Sequence, residues 1–207
     1  MNEFIRKKNI LIIAEGFEEK YYIDKLLSFP NIKKDIYSFA EVINVKSNTK
    51  ISARYQYEIQ RGFYDVILIF CDTDKGSKQF IDIVNEIGEK FFLDKDKGIE
   101  VFIFANPVTL QIVLSHFGEV YLTRVGKKSN AEIVERLTGI KDYDAKQEQI
   151  EEMLNKIYYR SMNILKENLN KISQNPKDIP STNFLTFLNR FESDDTSWID
   201  EINKYRK

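Results

Sequence analysis

The run Ile67-Leu68-Ile69-Phe70-Cys71 is apolar at every position and then stops at Asp72-Thr73-Asp74. A strand with one solvated face alternates apolar and polar side chains, whereas a continuous apolar run belongs to a strand covered on both faces, as in a parallel sheet. Residues two apart on an extended chain point to the same side, so the spacing predicts that the Asp72 and Asp74 carboxylates converge. Like charges held together repel unless a cation lies between them, and a hard divalent ion with oxygen ligands meets that need. A second run, Ile10-Leu11-Ile12-Ile13-Ala14, ends in the same manner at Glu15-Gly16-Phe17-Glu18-Glu19. Two acidic strand ends, about 57 residues apart, predict one acidic cleft at the carboxyl edge of an α/β sheet.

Apolar spacing predicts strands at residues 9–14, 40–45, 65–71, 101–105 and 120–125, and helices at 17–27, 49–62, 78–92 and 108–117. Their alternation predicts an α/β fold, a mostly parallel, Rossmann-like sheet flanked by helices. Beyond residue 130 the β-branched runs give way to helix formers. A long charged helix is expected at 145–170, a turn over 173–180, a helix capped by Ser181 and running to 191, and a last one capped by Thr196. The expected organisation is an α/β core over residues 1–129 with a helical C-terminal subdomain, residues 130–207, packed on it.

Charge and cysteine content narrow the function classes. The formal net charge is −1, so any site for a polyanion must be a local patch, metal-assisted or basic. The single cysteine, Cys71, sits inside an apolar run, which excludes a disulfide or a cysteine-based zinc site within one chain. No apolar stretch reaches the roughly 18 residues that span a bilayer, and none has the position and length of a signal peptide. The expected location is cytoplasmic, with no membrane partner.

A cation is expected near an acidic phosphate-processing site. Gly126-Lys127-Lys128-Ser129 precedes a helical pattern and can present a lysine and backbone N–H groups to a phosphate, with Lys128 as the candidate; Lys75 and Lys78, just after the aspartates, are comparable. The spacing is not that of a Walker A loop.

Taken together, Ala14-Glu15-Gly16-Phe17-Glu18-Glu19, the following Tyr21-Tyr22, and Asp72-Thr73-Asp74 resemble the TOPRIM domain shared by topoisomerases, primases and OLD-type nucleases. Phe104-Ala105-Asn106-Pro107, Ser115-His116-Phe117 and Ile179-Pro180-Ser181-Thr182-Asn183 are similar to the RloB-like branch, compact bacterial proteins often encoded in phage-defence loci. The resemblance implies that Glu15, Glu18, Asp72 and Asp74 bind one or two Mg2+ (or Mn2+) ions, with Glu15 as ligand or proton-transfer group. It implies hydrolysis of phosphodiesters in RNA, such as tRNA, or in DNA, in anti-phage abortive infection beside an ATPase partner protein. A homo-oligomer is compatible with it. The chain departs from the family at Leu110, where a glutamate is usual and Gln111 stands beside it. It departs again at Phe17, where the family has a small or hydroxylated residue.

Two other classes share the acidic strand ends. A receiver-like signalling domain also gathers carboxylates around magnesium, and a catalytically inactive TOPRIM interaction module would account for Leu110. Glu19 is expected to serve helix-start electrostatics, which favour an anion there. His116 is expected to be a packed side chain, and Ser181-Thr182-Asn183 a helix cap. Trp198 and Tyr158-Tyr159-Arg160 are expected to make core or subdomain contacts.

Overall fold

Two apolar runs pair directly at the centre of the sheet. In the computed structural model, which describes residues 6–74, 78–126 and 128–207, β1 (Lys8–Ala14) lies parallel to β4 (Val66–Asp72), with Ile10 opposite Val66 and Ala14 opposite Phe70. Lys75 and Lys127 lie outside the described residues. β5 (Phe102–Asn106) adds in parallel on the far side of β4. The other edge of β1 carries β2 (Tyr37–Phe39) and, after a break, β3 (Ile43–Asn44). A final two-residue strand, β6 (Ser181–Thr182), pairs antiparallel with β5. The sheet is six-stranded and mostly parallel, with order β2-β1-β4-β5-β6, and the α/β expectation holds.

Helices cover both faces, which is why β1, β4 and β5 are apolar throughout. Phe102 and Phe104 of β5 meet Phe80 of α3 (Lys78–Phe91) at ring-centroid distances of 5.9 and 6.2 Å. The adjacent α2 (Ile51–Arg61) packs Tyr55 on Phe91 of that layer. Phe70 pairs in register with Ile103 and so points to the opposite face. There it meets Phe184 of α8 (Phe184–Glu192), which also packs on Tyr22 of α1 (Phe17–Leu27).

Several elements differ from the sequence expectation. No strand forms at residues 120–125, because buried Gln111 of α4 (Leu110–Leu114) accepts from Leu122 N and donates to Val120 O, the groups a ladder would use. The helix expected at 145–170 is two helices, α6 (Gln147–Asn155) and α7 (Ser161–Leu169), preceded by α5 (Ala131–Thr138). The interruption brings Ser161 to His116 and leaves Tyr158 exposed, while Tyr159, half exposed, makes an edge contact with buried Phe29 at 6.3 Å. Ser181 lies in β6 and is not a cap; Asn183 occupies the position before α8. Trp198, in α9 (Ser197–Lys204) behind Thr196, is buried against Tyr37, Phe187 and Phe191. One hydrophobic cluster runs from Ile10 to Ile202, and β6, beyond residue 130, belongs to the main sheet.

The edge of β5 is completed by a side chain. Asn183 Oδ1 accepts from Phe104 N at 2.9 Å, and its Nδ2 donates to Phe102 O at 2.7 Å, so the amide stands in for a neighbouring strand. Replacing Asn183→Ala leaves both backbone groups unpaired, which costs about 2–4 kcal/mol. The expected outcome is a lower urea midpoint at unchanged m-value.

His116 ties α1 to the end of α4 and the start of α7. Its Nε2 lies 2.9 Å from Tyr22 Oη and its Nδ1 2.7 Å from Ser161 Oγ. Ser161 donates its own proton to Tyr158 O, so Nδ1 carries the ring proton and Nε2 accepts from Tyr22. Burial pushes the imidazole down to about 3. A depressed histidine costs nothing above its unfolded value near 6.5, and below it the unfolded chain takes up a proton that the fold refuses. Wild type is therefore expected to lose about 2 kcal/mol between pH 7 and pH 5 relative to His116→Gln, as read by urea titration.

Candidate functional site

The carboxyl ends of β1 and β4 bring Glu15 and Asp72 into contact. Parallel pairing continues past the last ladder residues, with Glu15 N donating to Phe70 O at 2.9 Å. The Glu15 side chain then turns across, and its Oε2 accepts from Asp72 N at 3.2 Å. Asp72 is fixed from the other side, where its Oδ1 accepts from Thr109 N at 2.6 Å and from Thr109 Oγ1 at 2.7 Å. Thr109 follows the β5 end Asn106-Pro107, and that turn is held by Asn106 Nδ2, which donates to Pro176 O and Asp178 O. Among the described residues, Oε1 of Glu15 and Oδ2 of Asp72 accept no hydrogen bond.

These two carboxylates line a cavity of about 370 Å³ with Gly16, Phe17, Glu18, Glu19, Lys46 and Ser47. Gly16 has an extended backbone (φ −137°), and a Cβ there would come within 2.8 Å of Glu19 Oε2. A side chain at residue 16 would thus require the Glu19 carboxylate to shift. Glu19 was expected only as a helix-start charge; it is also buried in the acid cluster. Lys46 and Thr109 were not anticipated from the sequence. Lys46 lies just past the strand expected at 40–45, with no motif to mark it, and the only signal for Thr109 was a hydroxyl beside the end of a neighbouring strand.

Crowding of like charge shows in the titration of the site. Burial, the Glu19 charge and the Asp74 charge raise Glu15 to about 7, against the lowering effect of the Asp72 N–H. Burial, with Glu19, Glu18 and Glu15 adding repulsion, pushes Asp72 well above the carboxylate range against the bonds from Thr109. Burial also raises Asp74. Tyr143 stands near the same acids, and burial with the Glu18 and Glu19 charges raises its phenol far above normal.

The expected residues are only partly brought together. Glu15, Glu18 and Asp72 share the cavity, but Asp74 does not line it. Thr73 N still follows the sheet, donating to Ala105 O, but Asp74 has a left-handed backbone (φ 48°), so the strand-like alternation that predicted convergence ends before it. Lys128, in a short 3-10 turn (Lys128–Asn130), lies 3.7 Å from Asp144 and does not line the cavity. Lys78 is exposed at the start of α3. Leu110, where the resembling family carries a glutamate, is buried in the core. Among the described residues, no three Asp, Glu, His or Cys side chains stand in an arrangement ready to hold one ion. The donor set, being carboxylate oxygen, suits a hard cation, but the side chains must draw together to share it.

No family model matches the chain, and neither does any curated protein or solved structure. Among the described residues, no helix is long and apolar enough to cross a membrane.

The raised Glu15 group fixes the sign of one measurement. A carboxyl whose folded value, about 7, exceeds its ordinary 4.5 favours the fold when protonated, so its stabilising effect is lost as pH rises from about 4.5 through 7. Without added divalent ions, Glu15→Gln is expected to be more stable than wild type at pH 8 by roughly 2–3 kcal/mol, and the difference vanishes near pH 4. This trend opposes that of His116, so each is read against its own variant in thermal or urea melts.

Proposed function

We propose that this chain is a magnesium-dependent TOPRIM-type nuclease that hydrolyses phosphodiester bonds in RNA or DNA. The reading includes a cytoplasmic role in bacterial anti-phage defence beside an ATPase partner, as the family resemblance implies. The observation that carries it is the meeting of Glu15 and Asp72 at adjacent parallel strand ends, inside a cavity whose acids raise one another's pKa. Carboxylates gathered at adjacent strand ends repel one another, and a divalent cation with oxygen ligands, shared between them, offsets that repulsion.

Glu15, Asp72 and Glu18 are the groups that would hold Mg2+ or Mn2+, with Asp74 close enough to act on Glu15 through its charge. Such an ion supplies activation of a water and charge neutralisation at the phosphoryl oxygens. The chain's own part is to orient and to hold protons. Thr109 fixes the Asp72 carboxylate from one side, and the Asp72 N–H fixes Glu15. Glu15, raised to about 7, can hold or release a proton near neutrality. Lys46, on the cavity wall, takes the phosphate-facing role expected of Lys128.

A second reading, an inactive TOPRIM interaction module, draws on Leu110 and on the acids not being drawn together. The test is incubation of purified protein with labelled tRNA and plasmid DNA, with Mg2+ or Mn2+, alongside Glu15→Ala and Asp72→Ala. The expected result is metal-dependent cleavage by wild type that falls at least a hundredfold in both variants. Equal products from all three proteins refute the nuclease. Magnesium binding by calorimetry without cleavage favours a non-catalytic module.

A further inference from the structure

The segment between β3 and β4 has a charge balance unlike the rest of the chain. Residues 45–65 contain Lys46, Lys50, Arg54 and Arg61 against two carboxylates, Glu58 and Asp65, in a protein whose net charge is −1. Glu58 is buried (1% exposed) beneath the helix surface, where it ion-pairs with Arg54 at 2.6 Å and Arg61 at 3.6 Å. One buried anion between two guanidinium groups leaves a net positive surface and restricts both arginines.

Aromatic side chains are interleaved with these cations. Arg54, Tyr57 and Arg61 are spaced i, i+3, i+7 and so share one face of α2. The Arg54 and Arg61 guanidinium groups lie 5.3 and 5.6 Å from the Tyr57 ring centroid, and Arg61 lies 4.8 Å from Phe63. Tyr57 and Phe63 are nevertheless 53% and 59% exposed. At the other end, Lys46 lies 5.9 Å from the Phe17 ring, and both residues line the acidic cavity. Phe17 is 48% exposed and stacks on Tyr21 at 5.9 Å and 21°.

α2 begins four residues after Ser47, which lines the cavity, and extends for about 16 Å, at 1.5 Å per residue, before the chain enters β4. Cations that track a phosphate backbone, beside flat rings on which unpaired bases can stack, are the recognition chemistry of single-stranded nucleic acid. A protein partner would also accept exposed tyrosine and arginine. The surplus of cations, on a segment whose first cation, Lys46, lines the cavity, favours the nucleic acid.

We infer that the face of α2 formed by Arg54, Tyr57, Arg61 and Phe63 is a binding track for single-stranded nucleic acid, leading to the cavity past Lys46 and Phe17. The inference rests on the nuclease reading for the role of the cavity, but the track's affinity is measurable without cleavage. Phosphates contact Arg54 and Arg61, and unpaired bases stack on Tyr57 and Phe63. A duplex, whose bases already stack on one another, cannot use the rings.

The test is fluorescence anisotropy of labelled single-stranded DNA and RNA oligomers of about a dozen nucleotides with the full chain, in chelator. Tyr57→Ala and Phe63→Ala are each expected to weaken binding roughly tenfold, and Tyr57→Phe to restore it. Arg61→Gln leaves Arg54 to pair with Glu58 and is expected to lower the slope of log affinity against log salt by about 0.7. Asp72→Asn is expected to keep track binding. The inference is overturned if the ring variants bind like wild type, if the matching duplex binds as tightly, or if the same variants abolish only self-association or protein binding. Cleavage with no effect of the ring variants on binding defeats the track alone; track binding by a wild type that cuts nothing defeats the nuclease reading alone.

Discussion

The structure depends on one parallel pairing, β1 against β4, that carries two carboxylates to the same place. Once Ala14 is opposite Phe70, Glu15 has no choice but to meet the backbone of Asp72. That bond lowers the Glu15 pKa, but burial and the Glu19 charge outweigh it, and Glu15, Glu18, Glu19 and Asp72 all border one cavity. The stability of this region is supplied elsewhere, by the apolar layers on both sides of the strands. Tyr22 shows how closely the two are joined: it stands one helical turn from Glu18 in α1 and packs on Phe184, which also covers Phe70.

Buried polar side chains do much of the work of holding loops at the carboxyl edge. Thr109 pins Asp72, Asn106 pins the turn before residue 180, Gln111 pins residues 120–122, and Asn183 closes the β5 edge. Each satisfies backbone or carboxylate groups that burial would otherwise leave costly. The same rule explains why the irregular segments near the site need no strand of their own.

The central strands were legible because burial on both faces leaves a continuous apolar signal. Of the short edge strands, β3 fell inside the strand expected at 40–45, but β2 and β6 were not legible. Tyr37–Phe39 is too brief for periodicity and is fixed by Tyr37, which packs on Trp198 far along the chain. The region 120–125 reads as a strand because it is apolar in part, but its hydrogen-bonding partner is a side chain, Gln111, rather than another strand. For the site, Glu15 and Asp72 could be read from strand ends, since residue alternation holds up to the last ladder pair. Asp74 could not: its left-handed backbone breaks the alternation, and a two-residue spacing gives no warning of it. Lys46 and Thr109 come from elements whose placement is decided by tertiary packing.

Net charge concealed the most as a single number. The value of −1 averages an acidic cavity with a basic stretch of chain, and neither is felt far beyond its own neighbourhood. At physiological ionic strength, screening acts over about 8 Å, whereas α2 extends about 16 Å from the end nearest the acids. Arg61 and Phe63, near the distal end, are therefore insulated from the carboxylates at the sheet edge. On the proposed track, a strand would first be held where the local field attracts phosphate. The demand for a bridging cation would then arise only where the strand meets Glu15 and Asp72, with Lys46 between the two regions.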